Sequence, residues 1–95
     1  MNHYELMYIM IPTLEGEALE GVMSKVTTLI ESVNGTVTEV KKWGKRRLAY
    51  EINDIKDGFY VVVTFDTAPE SISEIDRVLK LTEEVLRFLI TKNDE

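Results

Sequence analysis

No cysteine occurs among the 95 residues, which excludes a disulfide framework, a thiol nucleophile and a thiolate metal site together. The single histidine, His3, is too little for a multi-histidine metal centre and reads first as a surface residue near a terminus. The five glycines fit neither G-x-G-x-x-G nor G-x-x-x-x-G-K-S/T, so no phosphate cradle is encoded. No Ser-His-Asp set has a workable order, and the carboxylates are scattered, with Glu83-Glu84 most simply solvated. An enzyme would have no catalytic residues here, and no cofactor is called for. No apolar run nears the roughly 20 residues that span a bilayer, and Met1-Asn2-His3-Tyr4-Glu5 lacks the features of a signal peptide. The cytoplasm is the simplest compartment.

What is present makes one globular domain, expected over residues 1–92, with a polar tail at 93–95. Hydrophobic content of 44% and charged content of 29% are ordinary for a soluble chain. Residues 3–11 alternate between two largely apolar sides and read as a central strand, ended by Pro12. Ala18, Leu19, Val22, Met23, Val26, Leu29, Ile30 and Val33 recur on one helical face, predicting a helix over 15–33. Thr13 or Glu15 stands at its start, and Asn34-Gly35 stops it. A long strand follows over 36–52. Asp54 to Gly58 reads as a turn, with Asp57-Gly58 its strongest signal. Residues 59–66 form the most strand-like run. Pro69 and a capping-box pattern, Ser71 to Glu74, open a short helix over about 70–81, and residues 84–91 close the domain as a strand.

The order strand-helix-strand-strand-helix-strand predicts an α+β, ferredoxin-like split βαβ fold. It has a four-stranded antiparallel sheet with both helices on one face. Strands one and three are expected at the centre, strands two and four at the edges. The expected core is Leu6, Tyr8, Val22, Val26, Leu29, Ile30, Val61, Val63, Phe65, Ile75, Leu79, Phe88 and Ile90. Met7, Ile9, Tyr60 and Val62 fall on the sheet face away from the helices, either as an apolar contact surface or partly shielded by the hairpin.

Positive charge is concentrated in one place. Lys41, Lys42, Lys45, Arg46 and Arg47 are five of eleven basic residues in a chain of net charge −6. Such a cluster marks either a site for phosphate or an acidic partner, or a solvated edge strand whose charges prevent aggregation. Leu48, Tyr50 and Ile52 alternate with Ala49 and Glu51 as in a half-buried strand, and Gly44 inside this pattern points to a bulge. An RNA-recognition motif fits poorly: Asp57 and Tyr60 break the RNP1 pattern around Gly58-Phe59, and valines and Thr64 take later aromatic positions.

The run Gly44-Lys45-Arg46-Arg47-Leu48-Ala49-Tyr50-Glu51-Ile52 resembles the signature segment of the bacterial small-subunit ribosomal protein S-six family. The similarity extends over nearly the whole chain: Tyr4-Glu5, Pro12, Gly58, and Val85-Leu86-Arg87-Phe88-Leu89 followed by Lys92. The resemblance implies the same fold and a non-enzymatic part of the small ribosomal subunit. Its implied partners are the central domain of small-subunit ribosomal RNA and small-subunit protein S-eighteen. It further implies RNA contacts at Tyr4, Arg87 and Lys92, with His3 weaker, and a partner-protein side at Trp43, Arg46, Arg47, Leu48 and Tyr50. Lys41, Lys42 and Lys45 serve either surface, and Tyr50 is equally a core candidate. Asn2 and His3 depart from the arginines many relatives carry there, and the chain stops before the longer acidic tail of some. The rival readings are a regulatory domain and a dimeric α+β domain binding a small ligand.

Overall fold

The computed structural model describes residues 2–52 and 55–93. Strand β1 (Asn2–Met10) leads to helix α1 (Gly16–Ser32), then strands β2 (Thr36–Ile52) and β3 (Ile55–Thr67). A 3-10 turn (Pro69–Ser71), helix α2 (Ile72–Lys80) and strand β4 (Val85–Lys92) complete the chain. The sheet order is β2-β3-β1-β4, and all three pairings are antiparallel. This is the split βαβ arrangement expected from periodicity, with β1 and β3 central.

Both helices cover one sheet face because every element turns an apolar side toward it. Leu6, Tyr8 and Met10 of β1 meet Val61, Val63 and Phe65 of β3. Above them lie Val22, Val26 and Ile30 of α1 with Ile75 and Leu79 of α2, all buried in one cluster. Ten of the thirteen expected core residues are buried there. Leu29, Phe88 and Ile90 instead pack partly buried against its rim, because α1 and edge strand β4 carry them beyond the central layer. Tyr4, Met10 and Met23 join the core.

The termini of the elements follow local chemistry, with two departures. Asn34 takes a left-handed φ of 65°. Its N–H donates to the Glu31 carbonyl at 3.0 Å, while Gly35 N–H donates to Ile30 at 2.9 Å. These two bonds close α1 as a Schellman motif. Glu15 makes no side-chain cap. The expected capping box at α2 does not form. The Ser71 hydroxyl donates to the Val33 carbonyl at 3.1 Å, tying the two helical segments together, and Arg77 takes the Glu74 carboxylate through two hydrogen bonds.

The second departure concerns Asp57-Gly58, which lies inside β3 and not in a turn; residues 53 and 54 fall outside the described residues. Gly58 is needed for close approach: a Cβ there would sit 2.2 Å from Ile9 Cγ2 and 3.4 Å from Leu48 Cδ2. Gly58→Ala is therefore expected to cost about 1–3 kcal/mol through overpacking. A urea titration showing no loss would mean that Ile9 moves aside freely.

Tyr8 is 1% exposed. Burial first, and the nearby Glu20 carboxylate second, raise its phenol well above the ordinary value of 10.0. The neutral form is favoured in the folded state, so this contribution is complete below pH 10 and is lost as pH rises further. Tyr8→Phe is expected to flatten the decline in stability above about pH 10, by up to about 1.4 kcal/mol per pH unit. Parallel declines in both proteins would show that Tyr8 ionises freely when folded.

Candidate binding interface

Beyond the Met10 end of β1, residues 46–52 of β2 and 55–58 of β3 continue as a two-stranded arm. A bulge sets its geometry. Lys42 pairs with Val61 and Gly44 with Tyr60, so Trp43 is the extra residue, and Gly44 adopts φ 85°, a conformation suited to glycine. The extra residue reverses the side-chain phase. Before it, Val40 and Lys42 stand opposite the core residues Val63 and Val61 on the helix side. After it, Arg46 stands opposite Gly58 on the free face, where Leu48 lies beside Gly58 and Tyr50 beside Arg87.

The arm consequently lies down on the free sheet face. Ile9, Leu48 and Val62 are buried, at 7%, 8% and 6% exposure, yet belong outside the main core cluster. The hairpin thus shields part of that face. Tyr50 is not core. It is 60% exposed and meets Arg87 of β4, whose guanidinium lies 5.3 Å from its ring centroid and donates to its hydroxyl. Trp43 is 46% exposed, with the Arg46 guanidinium 5.3 Å from its ring.

The five cations of the run are not equivalent. Lys42 pairs with Glu20 of α1 at 2.7 Å, and Lys41 with Glu39 at 3.7 Å, so neighbouring carboxylates offset both charges. Lys45, Arg46 and Arg47 are exposed and make no ion pair among the described residues. Positive charge is therefore available toward the far part of the run.

A second group gathers at the opposite end of the sheet. Tyr4 pairs with Lys92 across β1 and β4, and His3 pairs with Asp66 of β3 through backbone register and side chain. The Asn93 N–H donates to the His3 carbonyl at 2.8 Å, which ties down the first residue of the expected tail; Asp94 and Glu95 lie outside the described residues. His3 and Lys92 are exposed, whereas Tyr4 is 8% exposed and stacked on Phe65 at 5.8 Å. Its ring faces the core, so a stacking role on an outside ligand is not available to it. Arg87 is far from this group, five residues up β4 or roughly 16 Å, and belongs with the arm. The alternation in β1 held the signal for Tyr4, because Tyr4 shares the parity of Leu6 and Tyr8.

The family model for ribosomal protein S6 matches residues 3–92. The chain belongs to the ribosomal protein S6 family. It is 43% identical over 95 residues to small ribosomal subunit protein bS6 of Desulforamulus reducens, covering all of both chains. It is also 43% identical to that of Moorella thermoacetica, covering all of this chain and 97% of the relative. The crystal structure of 30S ribosomal protein S6 from Thermotoga maritima superposes with a TM-score of 0.92 at 28% identity, over 97% of this chain and 87% of that one. As a family member the chain is a structural protein of the small ribosomal subunit, working on the ribosome in the cytoplasm, and is not an enzyme. Among the described residues no group of three acidic or histidine side chains could hold a metal ion. Among the same residues, no helix is long and apolar enough to cross a membrane.

Proposed function

We propose that this ribosomal protein S6 family member binds the central domain of small-subunit ribosomal RNA jointly with small-subunit ribosomal protein S-eighteen. The observation that carries this reading is the arm. A 17-residue edge strand with one side unpaired in the sheet offers backbone groups to a second chain. Beside them it presents Trp43, Arg46 and Tyr50, residue types that dominate protein interfaces. Leu48 holds the arm from beneath. Lys45 and Arg47, on the other face of the arm, take phosphate or partner carboxylate. At the far end of the sheet, His3 and Lys92 contact the RNA backbone, with the Tyr4 hydroxyl beside them.

Division of labour follows from charge. At −6 overall, the protein repels a polyanion except where the arm projects its cations. A partner bringing further positive charge raises RNA affinity by releasing counterions from more phosphates. Alone, this protein is expected to bind a central-domain RNA fragment weakly; with the partner, tightly and specifically. A gel-shift titration with each protein singly and with both together tests this. Equal affinity with and without the partner would reject the joint mode.

A further inference from the structure

The free face of the sheet is not fully covered by the arm. Between the arm and β4 remains a cleft of about 380 Å³, lined by Met7, Ile9, Tyr50, Tyr60, Arg87 and Leu89. We infer that this cleft is an anchor pocket for the protein partner, taking one aliphatic side chain with a carboxylate beside it. This rests on the pairing proposed above and extends the interface from the edge of β2 across the sheet to β4.

Three observations support that occupant. The volume stands near the small end of the range for ligand sites, which suits one inserted side chain. Two apolar or aromatic members stand in solvent, Leu89 at 56% exposure and Tyr50 at 60%. Together they leave an apolar rim that a partner would cover. The one charged member, Arg87, has Tyr50 as its neighbour and no carboxylate among the described residues. It therefore complements a carboxylate arriving with the anchor.

An unstacked RNA base is a poorer occupant. The Arg87 guanidinium lies beside the Tyr50 hydroxyl, and Met7, Ile9 and Leu89 supply aliphatic contact without hydrogen-bonding groups for base edges. Arg87 is then a partner-protein contact and not the RNA contact that the family resemblance implies.

Leu89→Asp tests the inference, because it places like charge against the incoming carboxylate at a position outside the core. Calorimetry of this protein with S-eighteen, without RNA, is expected to show pairing at least about tenfold weaker than wild type. A thermal melt of the variant checks its fold. Should it fail to fold, a second variant decides: Leu89→p-benzoylphenylalanine, irradiated with S-eighteen and the central-domain fragment, is expected to cross-link to the protein. Wild-type affinity in folded Leu89→Asp, or a cross-link to RNA alone, overturns the pocket while leaving the pairing intact. Absence of pairing by the wild type overturns both.

Discussion

Phe65→Ala is expected to remove about 3–5 kcal/mol of stability, a large part of the roughly 5–15 kcal/mol typical of a domain. Phe65 is 1% exposed, lies in central strand β3, and stacks on Tyr4 at 5.8 Å with an interplanar angle of 25°. Truncation leaves a cavity between a sheet and a helix layer, each stiffened by its own hydrogen bonds, so the site collapses only partly to fill it. The urea midpoint should fall by at least about 1 M. Leu29→Ala provides the contrast. Leu29 is only partly buried at the cluster's edge, where solvent fills the space released, so its cost is expected at or below about 2 kcal/mol. Equal losses for the two substitutions would show that the sheet-helix layer is not the centre of stability.

Arg46→Ala with Arg47→Ala is expected to weaken pairing with S-eighteen by about 2–4 kcal/mol, roughly 30- to 1,000-fold, while leaving the fold intact. Both side chains are exposed and neither takes part in the core. Arg46 holds most of the effect in this reading, because it shares the free face with Tyr50 and lies over Trp43. The same charges repel a second copy of this edge, so the variant is also expected to self-associate more readily. Calorimetry without RNA and sedimentation of the free protein measure the two effects. Unchanged pair affinity, with the salt slope of RNA binding reduced by up to about two, would move these arginines to the RNA side.

Those two arginines also mark where reading along the chain stops. Element order was legible because burial imposes a period of two on strands and 3.6 on helices, and both periods run clearly through β1, β3 and α1. The concentration of charge at 41–47 and the bulge at Gly44 were equally visible. Asp57-Gly58 misled, since the residue pair that favours a turn also suits a strand that needs glycine for close approach to Ile9. The capping-box pattern misled likewise, because the Val33 carbonyl competes for the Ser71 hydroxyl from 38 residues away.

By itself, then, the sequence determined the fold class, the central pair of strands, most of the core and the place of the exposed cations. Tertiary structure alone decided which cations remain unpaired, since Lys42 finds Glu20 only once α1 packs beside β2. It alone placed Arg87 with Tyr50, 37 positions apart, and so divided the expected RNA contacts between two ends of the sheet. The physical reason is that these contacts join residues far apart in the chain, and the bulge, itself visible in the sequence, only prepares them. One extra residue at Trp43 turns Gly44 and Arg46 to the free face, and the face onto which the arm then folds depends on Ile9 and Gly58, contacts that no local period encodes.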